Sequence, residues 1–313
     1  MRDSVLSRIA STPLSFPYFD VDALKAVEPM DARFKASLFE ITDKASSEYG
    51  FDMDRVPEII LAQYQASKYI SQKMDSMGMS DAHASRLSGI ARSMLSKCAN
   101  GKRPFSPGAA VVTPFCYNVM NESCNKVLLG YTGQIVLPSV YAETAKALEV
   151  IPEERRESLL KKAKVQMALY ERQNPSEIKN APHRDLSVLI GERIFELIND
   201  NGTKGYLLFG QETPYGVRNF LRQFINDEFK RESPRIGHLM YLAFESEMAL
   251  DYYVEEDFTK YTPCYYRQGE ELVQVTDRSF LQYIGICSSV NVERRIVLVG
   301  EAMGAALTQK VST

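Results

Sequence analysis

Apolar residues recur every three to four positions along most of this chain, and this period constrains the fold more than any other feature of the sequence. It is most regular between Val56 and Met77, where Pro57 suits a first helical turn and Gly78 suits a helix end. The apolar members of this stretch are Ile59, Ile60, Tyr64, Ala66, Ile70, Met74 and Met77. The pattern predicts a long amphipathic helix here and an all-α fold for the chain.

Glycine, proline and asparagine divide the rest of the chain into shorter helical segments. A short helix after Asn100 begins at either Pro107 or Pro114, and the sequence leaves both starts open. The acidic and aromatic residues 255–275 predict a loop with a short hairpin. The other predicted helical segments are Lys35–Ser47, Ser80–Leu87, Ala91–Ala99, residues 139–170 with a break near Ile151 and Pro152, Leu186–Asn199, Val217–Asn226, Pro234–Tyr253 and two helices within Asp277–Leu307.

Two stretches of the chain resemble one another and indicate a duplication of a helix-turn-helix bundle with a trailing helical hairpin. The heptapeptide that starts at Arg92 (RSMLSKC) parallels the one that starts at Arg218 (RNFLRQF), and each is followed by a Lys-Arg pair and a Ser-Pro pair. Chance similarity between two amphipathic segments is the alternative. The predicted domains are an N-terminal arm and helix (1–50), a helix-turn-helix domain (51–135), a helical hairpin and linker (136–180), a second, degenerate helix-turn-helix-like bundle (181–260) and a C-terminal helical segment (261–313).

Composition narrows the class of protein. The five cysteines form no CxxC pair, which favours reduced core thiols. The sequence has neither a signal-peptide pattern nor a run of 18 apolar residues. We therefore expect a cytoplasmic protein. The three histidines lack metal-ligand spacing, and no glycine-rich phosphate loop or GxSxG elbow occurs. We therefore expect neither an enzyme nor a metal or other cofactor.

Basic charge is concentrated between Gly78 and Pro104. This segment holds five Lys or Arg residues and one acid, a net charge of +4, whereas the whole chain carries −3. Within it, Ser80 suits a helix N-cap and Gly89 suits a turn. The helix that follows has a polar face with Arg92, Ser93, Ser96 and Lys97 and an apolar face with Leu95 and Cys98. The basic loop Asn100-Gly101-Lys102-Arg103 comes next.

The segment Gly78–Pro104 resembles, without a gap over its 27 residues, the helix-turn-helix of the lambda-repressor/Cro-like (Xre) family of DNA-binding regulators. Asp81 departs from the family, because that position often carries a phosphate-binding Gln. The resemblance implies a sequence-specific transcriptional regulator that binds double-stranded DNA as a homodimer, with Ala91–Ala99 as recognition helix in the major groove. The implied DNA-binding residues are Ser80, Arg92, Ser93, Ser96, Lys97, Asn100, Lys102 and Arg103.

The physical chemistry of these side chains agrees with the resemblance. An arginine at position 92 can bond guanine with two hydrogen bonds, and Ser93 and Ser96 are small enough to allow close approach to the bases. Lys97, Lys102 and Arg103 can contact phosphates. In the second bundle Arg218, Asn219, Arg222 and Gln223 are candidate base readers, but the following loop is acidic, so DNA contact and a structural or dimerising role are both open there.

A helical interaction protein is the alternative function. Such a protein, for example an antirepressor or an assembly factor of a phage or mobile element, would keep the fold without binding DNA. Its contact surface would be the acidic, tyrosine-rich segment 251–272. The tyrosine pairs at 252–253 and 265–266 could line a ligand pocket, although core and interface packing is the favoured interpretation.

Overall fold

A computed structural model describes residues 56–99, 105, 107–173, 186–200, 236–290 and 292–311. This part of the chain is dominated by α-helices and carries one small three-stranded sheet, which confirms the prediction of an all-α fold. It divides into two compact units. Unit 1 comprises the described residues up to Tyr131 together with residues 236–241, and unit 2 comprises the others.

Unit 1 is built on the long helix α1 (Val56–Ser76), which the apolar period predicted to within one residue at its end. Its buried apolar side chains, Ala62, Ala66, Ile70 and Met74, are spaced four residues apart and form one stripe. Two short helices follow, α2 (Asp81–Ser88) and α3 (Arg92–Ala99), and α1 packs against α3.

A helix with a proline inside it comes next. Helix α4 (Ala109–Pro114) is capped by Gly108 and continues through Pro114 into a π-helical turn (Phe115–Met120). Neither proposed start is therefore correct, although the helix begins only two residues after Pro107. Thr113 cannot act as the N-cap of a helix that starts at Pro114, because its hydroxyl donates to the carbonyl of Ala109 at 3.0 Å within the helix.

Helix α5 (Cys124–Leu129) packs on α1 and completes the described core of unit 1. A carboxylate joins the two helices, since Glu122 accepts hydrogen bonds from the Tyr69 hydroxyl and, at 2.8 Å, from the Lys73 ammonium group. Burial acts to raise the pKa of Glu122, but these hydrogen bonds and the positive charges of Lys126 and Lys73 outweigh it and hold the pKa below its usual range.

Unit 2 contains the helices of the second half and the sheet. Helix α9 (Ile236–Ser246) has residues in both units. The other helical elements of unit 2 are α6 (Ser139–Glu149), α7 (Glu153–Gln173), α8 (Leu186–Asn199), α10 (Leu250–Val254), a 3₁₀ turn (Phe258–Lys260), α11 (Arg278–Ser288) and α12 (Val292–Val311). The predicted break near Ile151 and Pro152 lies between α6 and α7, and α8 has the predicted bounds. The two predicted helices near the C-terminus are also confirmed.

The sheet lies within unit 2. Strands β2 (Cys264–Gln268) and β3 (Glu271–Gln274) form the predicted hairpin, and its turn contains Gly269 at φ 65°. Strand β1 (Ile135–Val136) pairs in parallel with β2, with Ile135 opposite Cys264. The sequence did not indicate β1, because two residues are too few to show a strand period.

The prediction of a single helix over Pro234–Tyr253 is wrong. Helix α9 ends at Ser246, Glu247 adopts the left-handed conformation (φ 57°), and α10 begins at Leu250. The Ser246 side chain explains the break. Its hydroxyl donates to the carbonyl of Leu242 at 2.6 Å and accepts from the Met248 amide at 3.3 Å, a pattern that closes a helix end.

Two buried arginines connect three helices of unit 2. Arg193 of α8 donates to the Ser288 carbonyl at 3.2 Å, and Arg295 of α12 donates to the Cys287 carbonyl at 3.0 Å, so both stabilise the C-terminal end of α11. Both guanidinium groups also form an ion pair with Glu196. Both charges are therefore paired inside the core.

The segment 251–272 is not one continuous surface. Asp251, Tyr252, Tyr253 and Val254 are buried, and so is Phe258, so the first part of the segment belongs to the core of unit 2. This corrects the expectation that the whole segment forms a contact surface. Only residues 267–272, at the hairpin turn, are exposed throughout. The burial agrees with the packing interpretation of the pair at 252–253.

Candidate nucleic-acid interface

The turn between α2 and α3 is fixed by its own side chains. Ser80 caps α2 by accepting a hydrogen bond from the His83 amide at 3.3 Å. Gly89 ends α2 with φ 74°, a conformation that favours glycine. The Ser88 hydroxyl then accepts from the Ile90 amide at 3.1 Å. The structure confirms the predicted cap and turn.

Helix α3 presents two different faces. Leu95 and Cys98 are buried, at 2% and 3% exposure, and Ile90 is buried just before the helix. Arg92 and Ser93 are exposed, as is Lys97, whereas Ser96 is half-buried. The helix starts at Arg92, one residue later than predicted. Apart from the half-buried Ser96, the side chains therefore face as the sequence predicts, and their role in binding DNA stays a prediction.

The exposed side of α2 and α3 is cationic. Arg86 on α2 is exposed together with Arg92 and Lys97 on α3. Within the described part of the chain, none of these three side chains has an ion-pair partner. Helices α2 and α3 contain one acidic residue, Asp81 at the start of α2, and it is half-buried. The charges of α3 are thus available to an anionic partner.

Burial of the apolar face holds α3 in place. Helix α3 contacts α1 and α2, and α2 also contacts α4 and the π-helical turn. Ala84 of α2 is fully buried. A methyl group at this position allows close approach between α2 and its neighbours, so this small apolar residue serves the packing.

Arg86 was not among the residues singled out from the sequence. Its position was predictable, because Ala84 and Ser88 mark the buried side of α2 with a spacing of four residues, and Arg86 lies halfway between them on the opposite side. We add Arg86 as a candidate phosphate contact.

Several predicted site residues lie outside the described residues. Asn100, Lys102 and Arg103 follow α3 directly and belong to this group. So do all four candidate readers of the second bundle, Arg218, Asn219, Arg222 and Gln223. Their participation stays a prediction.

All five cysteines lie in the described part and are buried, which confirms the prediction that they belong to the core. Among the described residues, no group of three or more His, Cys, Asp or Glu side chains is arranged to hold a metal ion. None of the described helices is long and apolar enough to span a membrane. No protein family, curated protein or solved structure matched this chain.

Proposed function

We propose that unit 1 binds double-stranded DNA with α3 in the major groove and that the protein is a sequence-specific transcriptional regulator. One observation carries the proposal. The polar and cationic side chains of α3, Arg92, Ser93 and Lys97, are exposed together, while Leu95 and Cys98 on its other side are buried. This is the arrangement that a recognition helix requires.

The dimensions and chemistry of α3 suit a groove. With its side chains an α-helix is about 10–12 Å across, which fits the major groove of B-DNA, about 12 Å wide. Arg92, at the N-terminal end, can donate two hydrogen bonds to guanine, and the short Ser93 side chain lets the backbone approach the bases. Lys97 and Arg86 can contact phosphates, which increases affinity for any sequence.

Binding measurements on single variants test this proposal. Arg92→Ala is expected to weaken binding to a preferred duplex by about 1–3 kcal/mol, whereas Lys97→Ala weakens binding to all duplexes alike and reduces the salt slope by about 1. Both side chains are exposed, so neither change should shift the thermal midpoint of unfolding appreciably. Fluorescence anisotropy over a range of salt concentrations measures both effects.

Lys161→Ala is the matched control, since Lys161 is exposed on α7 in unit 2. This variant should bind every duplex as the parent chain does. The proposal is wrong if the parent chain binds no duplex at low salt, or if Arg92→Ala and Lys97→Ala bind as tightly as Lys161→Ala.

The interaction-protein alternative has less support than it had from the sequence. The part of segment 251–272 that is exposed throughout is the hairpin turn at residues 267–272. A protein partner captured from nuclease-treated lysate, and lost on replacing Leu272 in this turn, would favour this alternative.

A further inference from the structure

A short segment of unit 2 crosses one face of α11. This segment, Glu255–Lys260, runs from the end of α10 through the 3₁₀ turn, and we call it the strap. It meets α11 at Leu281, Gly285 and Ser288, which are spaced four and three residues apart and therefore share one face of the helix. Phe258, in the middle of the strap, is fully buried. The strap is thus packed along two turns of α11.

Hydrogen bonds fasten the strap at both ends of this face. At one end, the Glu256 carbonyl accepts from the Ser288 hydroxyl and, at 3.2 Å, from the Arg193 guanidinium group. At the other end, the Thr259 hydroxyl lies within hydrogen-bonding distance of the Leu281 carbonyl, at 3.2 Å. Opening of the strap would therefore break contacts to both α8 and α11.

The middle of the same face has no side chain. Gly285 lies there, and a Cβ atom added to it would be 2.6 Å from Cγ of Asp257, closer than side chains pack. The Asp257 carboxylate therefore occupies the space that any other residue at position 285 would fill. A glycine inside a helix costs about 1 kcal/mol relative to alanine. Gly285 thus serves the packing of the strap and not the stability of α11 itself.

The strap carries three adjacent carboxyl groups and one ammonium group. Glu255, Glu256 and Asp257 are the acids, and Lys260 is the base, so the fully ionised strap has a net charge of −2. Glu255 is half-buried, and its carboxylate accepts from the Asp257 amide at 3.3 Å. Burial raises the pKa of Glu255 to about 7, and the charges of Asp257 and Glu256 act in the same direction, against Lys260.

The elements packed against the strap contribute three charged groups among the described residues. These are Arg193 of α8, Asp251 of α10 and the exposed Arg278 of α11. The other titratable neighbours are buried tyrosines and cysteines. Burial raises the pKa of each, so they stay neutral between about pH 5 and 8: Tyr252, Tyr253, Cys264, Tyr283 and Cys287. These neighbours therefore keep their state of charge while Glu255 ionises.

We propose that the strap is a pH-dependent element of unit 2, which stays closed on α11 in acid and opens more often as the pH rises to about 8. Ionisation of Glu255 places a further negative charge in a half-buried segment beside Asp257 and Glu256, whereas an open strap exposes that charge to water. The pKa of Glu255 is higher in the closed strap than in an open one. Its contribution to closure is therefore present below the ordinary glutamate pKa of about 4.3 and is lost as pH rises through about 7.

Amide hydrogen exchange of the full-length chain, followed by mass spectrometry, tests the proposal. After correction for the intrinsic effect of pH on exchange, protection of the strap amides should fall about 5- to 10-fold between pH 6 and pH 8, whereas α7 should keep its protection. Glu255→Gln should keep the strap protected at both pH values, because its amide cannot ionise. A parent strap equally protected at both pH values, or a Glu255→Gln variant with the pH dependence of the parent, would overturn the proposal.

Gly285→Ala tests the packing of the strap without changing a charge. The added Cβ would displace the Asp257 carboxylate, so the strap should lose protection about 10-fold or more at both pH values. Gly300→Ala is the matched control, because Gly300 is a helical glycine of α12 whose added Cβ would meet nothing within 4 Å. This variant should behave as the parent chain does. A Gly285→Ala variant with the strap protection of the parent would show that the contact of Asp257 with α11 does not hold the strap, and the proposal would be wrong.

The strap lies in unit 2, and none of these measurements requires DNA. The proposal therefore stands or falls independently of the proposed function.

Discussion

Arginine is used in two ways in the two units of this chain. Arg92 of unit 1 is exposed on α3, without an ion-pair partner among the described residues. Arg193 and Arg295 of unit 2 are buried and bonded to Glu196 and to the end of α11. The comparison shows why a positive charge in a sequence says little about binding until its surroundings are known.

The surroundings of Arg193 leave it no freedom to bind a ligand. Its guanidinium group lies 4.8 Å from the ring centre of Phe258 and 5.3 Å from that of Tyr252, and it donates to the Tyr141 hydroxyl at 2.7 Å. Arg92 is the opposite case, because removing it exposes nothing and leaves no partner unsatisfied in the described part of the chain. Stability should therefore depend on Arg193 and binding on Arg92.

Truncation of Arg193 should cause the largest loss of stability among the variants proposed for the two units. Arg193→Ala removes one of the two cations paired with Glu196 and the buried donor to the Glu256 and Ser288 carbonyls, and we expect the free energy of unfolding to fall by about 3–5 kcal/mol. Arg155→Ala is the control, because Arg155 is exposed and bonds only to Gln309 among the described residues, and it should cost less than about 0.5 kcal/mol. Urea titrations measure both. Equal losses for the two variants would contradict the assignment of Arg193 to the core.

A carboxylate of unit 1 provides the next largest effect and a dependence on pH. Glu122→Gln should destabilise the protein by about 1–2 kcal/mol at pH 7, since the bonds from Lys73 and Tyr69 favour the ionised form. The pKa of Glu122 is lower in the folded state than in the unfolded chain, so its contribution is present above the ordinary glutamate pKa of about 4.3 and is lost as pH falls through the lowered value.

Thermal unfolding between acid and neutral pH measures this difference, and Asp75→Asn on the exposed side of α1 is its control. A Glu122→Gln variant as stable as the parent chain at pH 7 would show that this carboxylate does not join α1 to α5.

A carboxyl group of unit 2 should respond to pH in the opposite direction, with the smallest effect. Burial, together with the negative charges of Asp257 and Glu256, raises the pKa of Glu255 to about 7 against the favourable contributions of the Asp257 amide and Lys260. Its folded-state pKa is above the unfolded value, so its contribution to stability is present below the ordinary pKa and is lost as pH rises through about 7.

Glu255→Gln should therefore match the parent chain in acid and exceed its stability by about 1 kcal/mol above pH 7, after allowance for partial exposure. The measurement is the unfolding midpoint as a function of pH, with Glu270→Gln at the hairpin turn as control. A Glu255→Gln variant that is less stable than the parent at alkaline pH would show that the ionised Glu255 stabilises the folded state, which contradicts the account.

The sequence predicted the helices well because their signals are local. The apolar stripe of α1, the proline between α6 and α7 and the glycine after α2 each act within a few residues. Long-range features were missed. The Ser246 hydroxyl ends α9 inside an apolar run, β1 pairs with a strand far along the chain, and the burial of Arg193 requires residues from several separate elements.

The same distinction applies to the candidate site. The cap at Ser80, the turn at Gly89 and the two faces of α3 follow from local spacing, and the structure places these residues as expected. The exposed apolar face of α12 was not predicted, because an apolar residue at helical spacing is equally consistent with burial. The packing of α6 and α11 on α12 shows which side of α12 is covered.

The most direct measurement for the central claim is a selection of bound sites from random duplex DNA, performed with the parent chain, Arg92→Ala and Lys161→Ala. We predict that the parent chain and Lys161→Ala enrich the same short consensus, and that Arg92→Ala loses preference at the base pairs which Arg92 reads. A parent chain that enriches no sequence, or an Arg92→Ala variant that enriches the identical consensus, would contradict the claim that α3 reads DNA.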